Sequence, residues 1–293
     1  DGTLKGLLQL HDGKQVEWVL IPDKDHFTLC LSTQVGCSLG CSFCSTGQMG
    51  LERNLTAGEI LAQVLTAREV LSTSQSSWPL RNIVFMGMGE PLLNWAQVEK
   101  SLQNLRDSMA FGFSHRRVTV STVGVPRILE TFARSRLASL AVSLHAPTQE
   151  LRQEIMPKAA AMLPLPELMD RLRKLPLKPR QRITIEYILL GGINDNLEQA
   201  KELNRVLSSI KCKINLISFN PAPDLPYEQP DPQRVLEFER FLWTKGQTVT
   251  LRKSKGQDIQ AACGQLRSTQ LHQRAKTCVN GPETRSDHAQ TRF

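Results

Sequence analysis

Thr33-Gln-Val-Gly-Cys37-Ser-Leu-Gly-Cys41-Ser-Phe-Cys44-Ser-Thr-Gly47 follows directly on the apolar run 27–31, and its Cys-x3-Cys-x2-Cys spacing governs the reading of the whole chain. Three thiolates on one short loop would hold three irons of a four-iron cubane and leave the fourth iron open, whereas ordinary electron-carrying clusters take four cysteines. The competing reading is a zinc site, completed by His26 or Cys30. Structural zinc sites usually open on a C-x2-C pair matched by a second pair, and that second pair is missing from this sequence. The triplet therefore favours a [4Fe-4S] cluster on Cys37, Cys41 and Cys44 and leaves zinc as the alternative.

Outward from the triplet, strand-like runs at 27–33, 83–89, 118–123, 139–145, 183–190 and 214–219 alternate with helical patterns at 57–71, 95–107, 126–135, 166–174, 197–210 and 232–245. Six such βα units predict an α/β fold with a parallel sheet. An eight-unit barrel needs about 250 residues, so six units predict a partial (β/α)6 barrel with one splayed side that admits a large substrate. A short N-terminal β extension over 1–26 precedes the barrel at 27–266, and a tail poor in apolar residues follows at 267–293. The tail is expected to be partly disordered. Successive strand side chains face opposite ways, which puts Ser139, Ala141, Ser143 and His145 on one face and Leu140, Val142 and Leu144 on the other. Thr28, Cys30 and Ser32, Thr119 and Ser121, and Thr184 and Glu186 repeat the pattern, so several strands are expected to aim small or polar groups at the lumen.

Composition narrows the class. Of 293 residues, 40% are hydrophobic and 22% charged, ordinary values for a globular protein. No apolar run approaches the roughly 18 residues of a membrane span, and no charged-then-apolar leader opens the chain. Seven cysteines, three of them in one octapeptide, argue against a secreted disulfide framework and for a reducing, cytoplasmic setting. The net charge is +8, with basic groups at 115–117, at Arg171, Arg173, Lys174, Lys178, Arg180 and Arg182, and at Arg252, Lys253 and Lys255. Such groups suit a polyanion, RNA first, although most charge runs are simply solvated surface.

At the end of the second strand, Phe85-Met-Gly-Met-Gly-Glu-Pro91 offers two glycines for close backbone approach and a carboxylate that an ammonium group would fit. Alone this reads as a glycine turn. Beside the triplet these residues resemble the GGE-type motif of the radical-SAM superfamily, which receives the amino group of S-adenosylmethionine, the cofactor that a cluster with an open iron reduces to a 5′-deoxyadenosyl radical.

Taken together, the triplet stretch, Arg53-Asn-Leu55, Gly87-Met-Gly-Glu-Pro91, Ser121-Thr-Val-Gly124, Ser143-Leu-His-Ala146, Asn215-Leu-Ile217, Asn220-Pro221 and Ala261-Ala-Cys-Gly-Gln-Leu266 resemble, in order, the radical-SAM adenine C2 methyltransferases of the RlmN family, across about 2–266. The resemblance implies that Cys37, Cys41 and Cys44 hold the cluster. It also implies that Gly89, Glu90, Ser121, Ser143, Leu144, His145 and Asn220 contact S-adenosylmethionine. It makes Cys263 the cysteine that carries the methyl group, Cys30 its partner in a transient disulfide, and Glu17 the acceptor of the C2 proton. Two molecules of S-adenosylmethionine per turnover, 23S rRNA and tRNA as substrates, a reductant such as flavodoxin and a monomeric enzyme are implied with it. So is an N-terminal RNA-binding domain of several dozen residues, for which this chain, opening at Asp1, has no counterpart.

From the residues alone, Glu17 on an N-terminal hairpin reads as a solvated carboxylate, and Cys30 and Cys263 as buried packing residues. Cys212 and Cys278 match no functional position. The chain departs from the family pattern at Met156-Pro-Lys-Ala-Ala-Ala-Met162, at the 124–126 turn and at Gln257, where an acidic residue is common. These departures bear on loop shape and RNA fit. Two other functions stay open: a Cfr-type enzyme that methylates C8 of the same ribosomal adenine, and a non-catalytic zinc-dependent RNA-binding module. Pro91 after Glu90 looks more like the C2 group.

Overall fold

The computed structural model describes residues 1–267 apart from Gln75, Asp224 and Lys253. An antiparallel hairpin, β1 (Leu4–Gln9) and β2 (Gln15–Asp23), pairs with β3 (His26–Cys30). A small separate hairpin, β4 (Gln34–Gly36) and β5 (Leu51–Asn54), brackets the cysteine loop. From β3 the sheet continues in parallel through β6 (Leu80–Phe85), β7 (Val118–Thr122), β8 (Ser139–Ser143), β9 (Ile183–Leu189), β10 (Cys212–Ser218) and β11 (Val249–Arg252). The order β1-β2-β3-β6-β7-β8-β9-β10-β11 leaves β1 and β11 as unpaired edges, so the sheet is open, as the count of units predicts. Side chains from β3, β6, β7, β9, β10 and β11 nevertheless line one cavity, which requires the sheet to curl around it.

Parallel neighbours need crossover connections, and helices supply them. They are α1 (Ser45–Gln48), α2 (Ala57–Thr73), α3 (Trp95–Arg106), α4 (Ile128–Ser135), α5 (Gln149–Ile155), α6 (Pro157–Met162), α7 (Leu165–Lys174), α8 (Leu197–Leu207) and α9 (Pro232–Thr244). The start of α2 shows how local sequence sets an element. Thr56 accepts from the Glu59 N–H at 3.2 Å while its own N–H donates to the Glu59 carboxylate at 2.8 Å, a reciprocal cap. Arg53 grips that carboxylate at 2.8 Å and Asp12 at 2.6 Å, tying the hairpin, β5 and α2 together.

Leu29, Ile83, Val118, Val120, Leu140, Val142, Ile185 and Leu216 are buried in the main core between sheet and helices. A second, smaller core gathers Cys37, Cys41, Phe43, Val123, Ile155, Met156, Ile188 and Phe219 above the C-terminal ends of the strands.

Three details differ from the sequence reading. The runs 27–33 and 83–89 are shorter as strands, because the chain turns beyond Cys30 and Phe85, and Ser32 and Thr33 bond to Gln63 and Met88. The stretch 149–162 holds two short helices, with Pro157 starting the second. A seventh parallel strand, β11, is present; at four residues it is too short for periodicity to reveal.

Candidate active site

Gly87 and Gly89 sit where the chain leaves β6 and passes the end of β3, and neither position has room for a side chain. A Cβ on Gly87 would lie 2.6 Å from the Leu31 carbonyl oxygen, and one on Gly89, at φ +96°, would lie 2.5 Å from the Cβ of Gln34. Close passage brings Glu90 into the upper cavity, where its two carboxylate oxygens accept from the N–H groups of Leu92 and Val123, each at 3.0 Å. Burial pushes its carboxyl up to about 6, against those bonds and one from Thr122.

Cys37, Cys41, Cys44, Gly89, Glu90, Ser121, Ser143, His145 and Cys263 line this one cavity. Ser121 and Ser143, on neighbouring strands, are 3.2 Å apart through their hydroxyls. His145 takes φ +57°, its Nδ1 accepts from the Ile188 N–H at 3.0 Å, and Phe43 stands edge-on to its ring at 5.0 Å. Burial, with Arg152 behind it, lowers the imidazole to about 3, so the ring is neutral.

The donor set fits an iron-sulfur cluster. The three thiols are free, share a cavity and have apolar neighbours. Burial pushes Cys37 up to about 12, and Cys41 and Cys44 upward too, with Cys37 and Cys44 raising Cys41 by like charge. Such thiols become thiolates when a cationic group binds them. Among the described residues no group of three or more His, Cys, Asp and Glu side chains is placed to hold a single metal ion. His26 is engaged elsewhere, at 3.0 Å from Asp25 and from Asn82.

A second cavity adjoins the first and is lined by Cys30, Cys263, Met86, Asn220 and Arg252. Burial pushes Cys30 up to about 12, with the nearby Cys263 adding to the rise and Arg252 opposing it. Both thiols are free. The Cys263 loop is fixed to the cluster loop: the Ser45 N–H donates to the Gly264 carbonyl at 2.8 Å and the Thr46 hydroxyl to the Leu266 carbonyl at 2.5 Å.

Below lies a third cavity of about 690 Å³, against about 160 Å³ for the upper one, opening at the N-terminal ends of the strands. Thr28, Thr119, Thr184 and Thr250 line it, with Lys24, Lys213 and Lys255. The predicted lumenal face of β3, β7 and β9 is therefore present. Ser32 is the exception: it is buried, donates to the Glu17 carbonyl at 2.6 Å and accepts from the Met88 N–H at 2.8 Å.

Other expectations are placed differently. Leu144 is buried in the main core and lines none of these cavities. Asn220 lies in the second cavity, held at 2.6 Å by Gln257, the residue that departs from the family pattern. Glu17 is buried rather than solvated and lines none of the three cavities. Lys5 stands 3.0 Å from its carboxylate and the Arg267 N–H donates to it at 2.8 Å, while burial raises its pKa. Cys212 is a buried packing residue; Lys253, Cys278 and the tail beyond Arg267 lie outside the described residues.

The basic groups divide three ways. Arg171 pairs with Glu130 and Glu167, and Lys174 with Asp170, so these are internal ion pairs of the surface. Arg252 belongs to the lumen, bordering all three cavities, a place hidden from the sequence by the shortness of β11. Arg116, Arg117, Lys178, Arg180 and Arg182 have no carboxylate partner among the described residues, and Arg117 and Arg182 immediately precede β7 and β9 at the wide lower mouth.

Comparison with known proteins agrees with this arrangement. The Radical SAM superfamily model matches residues 31–203. The chain is 58% identical over 268 residues, 92% of its length and 76% of the relative's, to the dual-specificity RNA methyltransferase RlmN of Solidesulfovibrio magneticus. It is 54% identical to the protein of that name in Nitratidesulfovibrio vulgaris, over 97% of this chain and 79% of the relative. Its structure matches that of a radical SAM methyltransferase from Sphaerobacter thermophilus, with TM-score 0.85, 43% identity, and coverage of 90% of this chain and 77% of that one. Among the described residues no helix is long and apolar enough to cross a membrane.

Proposed function

The chain belongs to the RlmN family of the radical-SAM superfamily, and from that premise we propose that it is an RNA methyltransferase acting on C2 of adenine, in 23S rRNA and beside the tRNA anticodon. Membership implies a [4Fe-4S] cluster and S-adenosylmethionine. The observation that carries the finer reading is the position of Cys263, which lines one cavity with Cys37, Cys41 and Cys44 and a second with Cys30.

C2 of adenine is an electron-poor aryl carbon without a nucleophilic lone pair, so polar attack on a sulfonium methyl is closed to it. The cluster with S-adenosylmethionine supplies the oxidising radical that takes a hydrogen atom from an S-methyl group. Cys263 carries that methyl group, received from one S-adenosylmethionine while a second is consumed as radical source. Its carbon then bonds to C2, linking protein to RNA. The base then gives up its C2 proton and one electron, which the oxidised cluster would take back. The Cys30 thiolate attacks the Cys263 sulfur, and the sulfur–carbon bond breaks with its electron pair on the methyl carbon, which takes a proton and stays on the base. The Cys30–Cys263 disulfide is reduced by two electrons from an external dithiol, while a reductant such as flavodoxin is the electron donor to the cluster. Arg252, beside both thiols, favours the thiolate that this attack needs. Gly89, Glu90, Ser121, Ser143 and His145 surround S-adenosylmethionine in the upper cavity, with Glu90 as the partner of its ammonium group and Asn220 at the adjoining wall. Glu17, which the family resemblance makes the acceptor of the C2 proton, lines none of the three cavities and is engaged by Lys5 and the Arg267 N–H, so the geometry gives it no step here. The RNA approaches the wide lower mouth, where Arg117 and Arg182 meet its phosphates.

Anaerobic incubation of the reconstituted protein with reductant, S-adenosylmethionine and rRNA or tRNA, followed by nucleoside mass spectrometry, tests this reading. The expected product is 2-methyladenosine; 8-methyladenosine alone would move the protein to the Cfr type.

A further inference from the structure

Arg152, on α5, is the bulkiest of the fully buried side chains among the described residues, and no carboxylate pairs with it. Its Nη1 donates to the Leu163 carbonyl at 2.9 Å and the Ala159 carbonyl at 3.4 Å, its Nη2 donates to the Val123 carbonyl at 3.1 Å, and its buried Nε finds no acceptor. Every acceptor is neutral. Taking a guanidinium out of water is unfavourable unless an opposite charge compensates it. Burial brings its pKa down to about 10, which leaves it charged at neutral pH, and the anionic form of Cys41 opposes that fall.

The backbone places this charge directly behind the cluster loop. The Ile155 carbonyl, at the end of the same helix, accepts from the Ser42 N–H at 3.0 Å, one residue beyond Cys41. Val123, whose carbonyl receives Nη2, lines the cluster cavity and donates its N–H to Glu90. A clamp on three carbonyls needs donors but no net charge, so the charge itself calls for an anion. Three thiolates around a cubane give a net negative group, and reduction makes it more so.

We propose that Arg152 is the built-in counter-cation of the cluster site: it compensates the thiolate-held charge behind Cys41 and makes acceptance of an electron more favourable. This rests on the functional reading above. It acts through the cluster and touches neither substrate nor S-adenosylmethionine.

The test is an EPR-monitored redox titration of reconstituted protein without S-adenosylmethionine or RNA, each sample checked for iron, sulfide and circular dichroism. Arg152→Gln, which keeps an amide donor and loses the charge, should shift the reduction potential to a more negative value at equal iron content. Arg152→Lys, which keeps the charge, should stay close to wild type at neutral pH. A Gln variant with wild-type potential, or a Lys variant shifted as far as the Gln variant, overturns the proposal in favour of a purely mechanical clamp. Should Arg152→Gln not fold, Ala159→Asp sets a carboxylate on the residue whose carbonyl already meets the guanidinium, and it should move the potential in the same negative direction; no movement overturns the role. Wild-type protein that binds no iron at all would overturn the functional reading itself, an outcome distinct from a loaded cluster with unmoved potential.

Discussion

At the C-terminal ends of the parallel strands, Gly87 and Gly89, three cysteines and the Phe43–His145 ring contact are packed with apolar neighbours; at the N-terminal ends, four threonines and three lysines face a wide opening. The upper end has no slack, since an added methyl at Gly89 would collide with Gln34. The lower end has space and flexible charged side chains. The difference separates two tasks, holding a small cofactor in one geometry and accepting a large polyanion in any of several. It predicts that substitutions near the top act on chemistry and those near the bottom on affinity.

The largest effect is expected at the cluster loop. Replacing Cys37, Cys41 or Cys44 by Ala should abolish both the brown colour and the cleavage of S-adenosylmethionine; full iron and turnover in any one variant breaks the contrast at its root. Next come the two thiols of the second cavity, which should fail differently. Cys263→Ala loses the methyl carrier, so neither product nor adduct forms. Cys30→Ala keeps the carrier and loses the thiolate that releases it, so a covalent protein–RNA species should accumulate, visible as a band shift that ribonuclease collapses. Crosslink in Cys263→Ala, or full activity in Cys30→Ala, removes the asymmetry.

Glu90 provides a graded test of the upper end. Its folded-state pKa lies above the ordinary 4.5, at about 6, so the carboxylate is lost as pH falls through that value. Affinity for S-adenosylmethionine, measured calorimetrically, should therefore weaken as pH drops through about 6, and Glu90→Gln should bind weakly with a flat profile. An equally steep fall in the Gln variant would assign the titration to another group. The smallest effect belongs to the lower mouth: Arg117→Ala and Arg182→Ala should each weaken RNA binding across all sequences and reduce the salt slope of log K by about one, with cluster colour unchanged. Unaltered salt slopes would place the RNA elsewhere.

The parallel units and the cluster triplet were legible because both are local: helix and strand periods are written in neighbouring residues, and three thiols on one loop need no tertiary contact to be noticed. Alternation also found the lumenal Thr119, Ser121, Thr184 and Glu186. It failed at Ser32, which lies past the end of β3, where the chain no longer follows the pleat. Arg252 reads in the sequence only as one of the basic groups suited to a polyanion, and Arg152 draws no notice, for a common reason. The burial of an arginine depends on what packs over it, and no spacing pattern records that. Glu17 shows the same limit in reverse, a hairpin carboxylate that Lys5 and the Arg267 backbone enclose.

The loop bearing Cys263 also joins the two extremities of the described chain. The Gly256 N–H donates to the Asp1 carboxylate at 2.8 Å, and the Arg267 N–H reaches Glu17. In a polypeptide made from its N-terminus onward, these partners are separated by more than two hundred residues of later synthesis, and so slow, non-local a closure comes last. Until then the Cys263 loop is not fixed against the cluster loop, because the Gly264 and Leu266 carbonyls that accept from Ser45 and Thr46 belong to the same late segment. The last-made segment is therefore the one that closes the site between the cluster loop and Cys30.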